Sequence, residues 1–238
     1  MKYAIIAAGE GSRLAQEGIQ SPKPLVEVGG ERLIDRLLRI FMSNGATEIV
    51  AICNEQMTEV RKHLEEIQQQ GNVPLKFVVK STPSSMHSMW ELSRWLGDGP
   101  FVLTTVDTIF REEEFGAYVA EFLQLVERGE ADGLMGVTDY IDDEKPLYVN
   151  TDDDLQITGF QDRCEQPRYI SGGIYGLTPR SIDTLRRCIE RGESRMRNFQ
   201  RALIADGLRL KAKPFSKVLD IDHASDIQKA EDFLRLRN

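Results

Sequence analysis

The sequence predicts an α/β protein with a mainly parallel sheet, and three observations carry that prediction. Through the first 110 residues, short apolar runs alternate with longer stretches of helical periodicity, the pattern of strands joined by crossover helices. A glycine-bearing loop, "AAGEGSRL" (7–14), follows the first apolar run. Aspartates close two later runs, at strand ends where open α/β sheets collect their ligands.

The elements can be justified in order. "YAIIAA" (3–8) reads as a buried strand. Over 31–45 the apolar residues Leu33, Ile34, Leu37, Leu38 and Phe41 recur on one helix face, and Gly45 ends the helix. "TEIVAIC" (47–53) is a strand, 55–71 a polar-faced helix closed by Gly71, "LKFVVK" (75–80) a strand and 84–96 a helix. "PFVLTTVD" (100–107) is a strand ending on Asp107. A helix at about 112–128 opens the second half. Short strands follow in "DGLMGVT", "PLYVN", "LQITGF" and "YISGGIYGL", with "NTDDDLQ" as a hairpin turn. Helices near 178–190 and 195–206, the strands "LRLKAK" and "VLDID", and a helix from about Ala224 complete the chain. No linker, repeat or low-complexity segment interrupts it. One domain over 1–238 is expected, with halves at 1–110 and 111–238.

Composition narrows the function classes. The 238 residues are 41% apolar and 29% charged, as in an ordinary globular protein. The net charge is −8 with no basic tract, which disfavours a nucleic-acid partner, because phosphate backbones call for clustered Lys and Arg. Cys53, Cys164 and Cys188 are widely spaced and odd in number, which suggests neither a disulfide framework nor a zinc site. The first apolar stretch is too short for a signal peptide or a membrane span, so a cytoplasmic, membrane-free protein is expected.

The first loop excludes two common phosphate motifs. Leu14 stands where a dinucleotide fingerprint needs its third glycine, and no Gly-Lys-Ser/Thr exists to close a P-loop. What remains is Gly9, Gly11, Ser12 and Arg13, followed by "SPKPL" (21–25). The glycines let backbone N–H groups approach a triphosphate closely, and the Arg13 fork can grip phosphate oxygens. Lys23 lies between Pro22 and Pro24, which hold it fairly still, and a fixed ammonium suits an α-phosphate gaining charge.

The run "AAGEGSRLAQEGIQSPKPLVEVGG" resembles the signature of the sugar-phosphate nucleotidyltransferase superfamily, the NDP-sugar pyrophosphorylase-like proteins, and the likeness covers nearly the whole chain. The resemblance implies a three-layer α/β/α, Rossmann-like GT-A fold with a mixed, mainly parallel sheet. It makes 1–110 the nucleotide-binding half and 111–238 the acceptor-binding half. It implies transfer of NMP from an NTP to a phosphorylated acceptor, with pyrophosphate leaving. Ala7, Ala8, Gly9, Gly11, Ser12 and Arg13 would bind the nucleotide, and Arg13 and Lys23 would be catalytic.

Such chemistry needs a divalent cation, Mg2+, and hard cations prefer carboxylate oxygens. "TTVDTIF" resembles the family's metal-binding segment after the central strand, and "VLDIDHASDI" the C-terminal segment that supplies a second ligand. The resemblance therefore gives the metal to Asp107 and Asp222, with Asp220 secondary. Asp220 and Asp222 alternate, so both would face one side of a strand. Asp222 also fits a helix N-cap, and Asp226 fits the first turn of that helix. No Ser-His-Asp or Cys-His arrangement stands out, and none is needed, because a phosphate monoester is already a nucleophile at neutral pH. His63 is expected on a solvated helix face. For His87 and His223, ligand contact and helix packing or capping are both open.

Two segments depart from the common pattern. "STPSSMHSMWEL" (81–92) replaces a Gly-rich segment and resembles the variant of phosphocholine and inositol-phosphate cytidylyltransferases, with Ser85 and Ser88 as nucleoside contacts. It also reads as a helix start, capped by Ser84 or Ser85, with Met86, Met89 and Trp90 in the core; the two readings are compatible. For the acceptor phosphate, Arg163 matches the family lysine by position, whereas Lys145 matches by letters in "DEKPLYV". Gly172 and Gly173 either admit the acceptor closely or mark a bulge. The leading expectation is an NDP-sugar made from a sugar 1-phosphate. The alternatives are a cytidylyltransferase acting on phosphocholine or another alcohol phosphate, a GT-A glycosyltransferase, and a non-catalytic nucleotide sensor. Base, acceptor and oligomeric state stay open.

Overall fold

The computed structural model describes residues 1–142 and 144–235. Its elements in chain order begin with β1 (Lys2–Ala7), α1 (Ser12–Gln16), a 3-10 turn at Lys23–Leu25, β2 (Glu27–Val28), β3 (Glu31–Arg32) and α2 (Leu33–Ser43). Next come β4 (Glu48–Cys53), α3 (Thr58–Gln70), β5 (Leu75–Val79), α4 (Ser85–Ser93), β6 (Phe101–Thr105) and β7 (Thr108–Ile109). The second half holds α5 (Glu112–Glu127), β8 (Gly133–Thr138), β9 (Tyr148–Thr151), β10 (Ile157–Gln161) and β11 (Tyr169–Leu177). It closes with α6 (Arg180–Glu190), α7 (Met196–Ala205), β12 (Leu210–Phe215), β13 (Leu219–Asp220) and α8 (Ala224–Arg235).

Among the described residues, nine strands form one sheet, with β10-β9-β11-β6-β1-β4-β5 as its longest path. In the first half, β6, β1, β4 and β5 pair in parallel. These strands are apolar on both faces, as parallel strands covered by helices must be. The side chains of β1 show the layering: Tyr3, Ile5 and Ala7 join a core with α2, α3, α5 and α8, while Ala4 and Ile6 join the opposite core with α4, α6 and α7. In the second half, β11 runs antiparallel to β6, β8 and β9, and β12 adds in parallel to β8. The sheet is thus mixed, with helices on both faces.

Two expectations change here. The "VLDID" strand shrinks to Leu219–Asp220, because its partner β7 offers only two residues for pairing. Asp222 therefore lies in the turn before α8 rather than beside Asp220 on a strand. His63 is not solvated: its Nε2 lies 2.6 Å from Asp35 and its Nδ1 3.1 Å from Arg32 Nη1, with the side chain largely buried.

Candidate active site

The loop after β1 turns at Gly11, whose φ of +62° is the left-handed region that glycine enters without strain. A Cβ there would lie 3.1 Å from Lys23 Cβ, so the glycine lets the Lys23 stem cross the loop. Lys23 begins the 3-10 turn between its two prolines, and its side chain is only 10% exposed. Its Nζ donates to Asp107 Oδ2 at 2.6 Å and to Asp222 Oδ1 at 2.7 Å. Arg13 Nη1 donates to the other Asp222 oxygen at 3.1 Å. Burial lowers the Lys23 pKa, but the two carboxylates outweigh it and the ammonium is held above its usual range. Burial raises the Asp222 pKa, but Lys23 and Arg13 outweigh it and leave the carboxyl below the usual range.

The two carboxylates come from turns that are tied together. Asp107 follows β6, at the carboxyl end of a parallel strand. Past it, β7 pairs with β13, joining Ile109 to Leu219 and Thr108 to Asp220. Ile221 N–H donates to the Asp107 carbonyl at 3.2 Å. The start of α8 is capped by Asp226, which accepts from the N–H groups of Asp222 at 3.2 Å and His223 at 2.8 Å. That frees the Asp222 carboxylate to face Lys23. Glu17 accepts from Ala224 N–H at 2.6 Å and lies 2.6 Å from His223 Nδ1, clipping the end of the first loop to the same turn.

This ion cluster borders two cavities, Lys23 and Asp107 lining one and Arg13 and Asp222 the other. One, of 410 Å³, is lined by Ala8, Gly9, Lys23, Asn54, Ser85, Ser88 and Asp107 among others. Ser88 is buried and shares a 2.6 Å hydrogen bond with Thr82 Oγ1. Ser84 holds the N-cap position of α4, but its hydroxyl bonds His87 Nδ1 at 2.9 Å and accepts Arg195 N–H at 3.3 Å instead of capping. The second cavity, of 430 Å³, is lined by residues that include Arg13, Lys145, Gly172, Arg197, Asp220 and Asp222. Of the two glycines in β11, Gly172 borders this cavity, and Gly173 has φ of +69° and would place a Cβ 3.1 Å from Thr108 Oγ1. The β8–β11 register shifts between Ser171 and Ile174, so close approach and a bulge coincide.

The remaining sequence candidates divide. Ala7 ends β1, and Ser12 and Arg13 open α1. Arg163 is exposed on the loop after β10 and does not line either cavity, whereas Lys145 lines the second. Sequence reasoning missed Arg197 on α7, which lines the second cavity and donates to Asp162 at 2.5 Å and to the Lys145 carbonyl at 2.9 Å. The basic run "RMRNFQR" was its only signal.

Among the described residues no group of three or more His, Cys, Asp and Glu side chains is gathered as a metal cage. The pair Asp107 and Asp222 nevertheless converges on one cationic point. One or two carboxylates are a donor set Mg2+ takes, since it keeps waters and substrate oxygens as its other ligands. The residues present fit that ion.

The fold and site thus combine a glycine loop after the first strand, a clamped lysine and two carboxylates brought together from the turns after β6 and β13. The chain belongs to the nucleotidyl transferase family, whose sequence model matches residues 2–235. It is 32% identical over 112 residues to a mannose-1-phosphate guanyltransferase from Hypocrea jecorina, a match covering 46% of this chain and 31% of that protein. The matched region thus spans about a third of that curated relative. Among solved structures, a Bacillus anthracis protein assigned as a glucose-1-phosphate thymidylyltransferase superposes with a TM-score of 0.85 at 20% identity, covering 100% of this chain and 96% of that one. The inositol-1-phosphate CTP transferase from T. maritima superposes with a TM-score of 0.77 at 19% identity, covering 99% and 98%. At those identities the superpositions show the shared fold.

Proposed function

We propose that the protein is a Mg2+-dependent nucleotidyltransferase that joins the NMP part of an NTP to a sugar 1-phosphate, giving an NDP-sugar and pyrophosphate. The observation that carries this reading is the Lys23 ammonium, fixed 2.6 Å from Asp107, which lines one cavity, and 2.7 Å from Asp222, which lines the other. The similarity to a mannose-1-phosphate guanyltransferase supports the sugar phosphate as acceptor.

In this reading the triphosphate lies along Gly9, Gly11 and Arg13, with the nucleoside in the cavity beside Ser85 and Ser88. The acceptor enters the second cavity over Gly172. Lys145 rather than Arg163 meets its phosphate, because only Lys145 lines that cavity. An acceptor phosphate oxygen attacks the α-phosphorus in line. A P–O bond forms there as the α–β bridging bond breaks, and the electron pair leaves on pyrophosphate. Lys23 reaches the junction and neutralises charge developing on the α-phosphate, while Arg13 orients the departing phosphates. Asp107 and Asp222 would hold Mg2+, which would supply further charge neutralisation. No side chain needs to take a proton. In keeping with that, His63, His87 and His223 are each engaged by neighbours: Asp35 with Arg32, Ser84, and Glu17.

A second reading keeps the chemistry and changes the acceptor to phosphocholine or another alcohol phosphate. The serine-rich start of α4 lining the nucleoside cavity favours it. The reading includes a cytoplasmic setting; no described helix is long and apolar enough to cross a membrane. The test is Asp107→Asn with EDTA controls. Pyrophosphate release should collapse in both, and wild-type turnover undiminished in EDTA would overturn the metal assignment.

A further inference from the structure

We propose that Arg36 is a positioning residue that holds the Asp107 turn in register for metal binding, an inference that rests on the metal role of Asp107 given above. Arg36 sits on α2, far from Asp107 in sequence, and is 2% exposed. Its Nη2 donates to the Phe110 carbonyl at 2.6 Å, and its guanidinium lies 5.3 Å from the Phe110 ring centroid. Phe110 directly follows β7, so the anchored carbonyl is three residues from Asp107. The same two-residue strand pairs with β13, which leads into the Asp222 turn. One contact on Phe110 thus bears on both carboxylate turns.

The way Arg36 is paired argues that stability alone does not account for it. The nearest acid, Glu112, is 3.9 Å away and is bound in a fork by Arg39, at 2.8 Å through each oxygen. Arg36 Nη1 is buried with no hydrogen-bond partner. A buried guanidinium with one carbonyl acceptor and an unmet donor is costly, and burial lowers its pKa. A methionine or leucine would fill the same volume at lower cost. What neither can supply is a rigid donor to Phe110. The Phe110 ring is itself fixed, stacked on Phe115 with centroids 4.7 Å apart. The chain therefore locks this turn from the side chain and the main chain at once. Groups that orient metal-holding carboxylates without touching the metal commonly change metal affinity or activity about 10–100-fold when removed.

The test is Mn2+ titration into wild type, Arg36→Met, Arg36→Lys and Asp107→Asn, followed by loss of the free-ion EPR signal. CTP, GTP, UTP, ATP and dTTP are each supplied in turn, alongside thermal unfolding and steady-state kinetics. Arg36→Met should weaken Mn2+ binding and lower kcat by about tenfold or more, with NTP KM changed by less than about twofold. Arg36→Lys, which keeps one donor, should recover part of both losses. Wild-type Mn2+ affinity and kcat in Arg36→Met, with only its melting temperature lowered, would overturn the proposal. Should Arg36→Met not fold, Arg36→Lys decides: weakened Mn2+ binding supports the role, and wild-type binding overturns it. Asp107→Asn reads the metal assignment separately. Unchanged Mn2+ binding there would overturn that assignment and the positioning role with it.

Discussion

Replacing Lys23 by alanine removes the ammonium that joins Asp107 to Asp222. The consequences for stability and catalysis can be separated. The contact to Asp107 is largely buried, with side-chain exposures of 10% and 17%, and a charge-assisted hydrogen bond of this kind contributes about 1.5–3 kcal/mol. The contact to Asp222 is half exposed, at 44%, and is discounted to about 0–1 kcal/mol. The variant should therefore lose roughly 2–3 kcal/mol in the absence of metal, about 5–10 °C in Tm for a chain of this size. On the proposed metal assignment, Asp107 and Asp222 would hold added Mg2+ and the deficit should shrink. Catalysis should respond differently. In the proposed mechanism Lys23 neutralises charge in the transition state, so kcat should fall about 100- to 1,000-fold with Mg2+ present, as for loss of one oxyanion donor. The assays are thermal unfolding with and without MgCl2, and coupled pyrophosphate release. Unchanged turnover would refute the catalytic role. A stability loss as large in Mg2+ as in EDTA would refute the metal assignment.

Three further perturbations test separate parts of the account. Gly11→Ala forces an L-residue to φ of +62° against the Lys23 stem and should cost about 1–2 kcal/mol, together with a raised NTP KM, measured by unfolding and kinetics. Burial raises the Asp132 pKa, but Arg209 N–H at 2.9 Å and Arg180 at 2.7 Å outweigh it and hold the carboxyl below its usual range. Its stabilising contribution is therefore present above the unfolded pKa of about 3.9 and is lost as pH falls through the lower folded value. Asp132→Asn should accordingly be less stable than wild type at neutral pH, and the gap should close on acidification; a gap that widens would contradict the pairing. Tyr118→Phe removes a buried 2.7 Å bond to the Leu134 carbonyl and should cost about 1 kcal/mol by denaturant unfolding, without changing turnover.

Much of the fold was legible because its signals are local. β1, β4, β5 and β6 each lie within an apolar run, α2 shows one apolar face, and Gly71 closes α3, whereas the two-residue strands β2 and β3 carry no such run. The loop-and-lysine pair was legible because Gly11, Arg13, Pro22, Lys23 and Pro24 sit close together in sequence. The structure sharpened Gly11: it lets the Lys23 stem pass as well as opening the loop to phosphate. What could not be read depends on distant partners. Asp222 lost its strand because β7 is only two residues long. His63 looked solvated because its partners Asp35 and Arg32 lie on a different helix and strand edge. Nothing local singles out Arg36 in "LIDRLLRIF", because its acceptor is a backbone carbonyl 74 residues away. Arg197 shows the same limit, since the arginines of "RMRNFQR" do not say which way α7 faces, and only the packed fold brings Arg197 to the second cavity.

The most direct test is pyrophosphate release from the four ribonucleoside triphosphates and dTTP, each paired with a panel of sugar 1-phosphates, phosphocholine and inositol phosphate, in Mg2+ and in EDTA. The account predicts release for at least one nucleotide with one phosphorylated acceptor, in Mg2+ only, lost in Asp107→Asn and strongly reduced in Lys23→Ala. No acceptor-dependent release from any pair, or release that persists in EDTA, would contradict it.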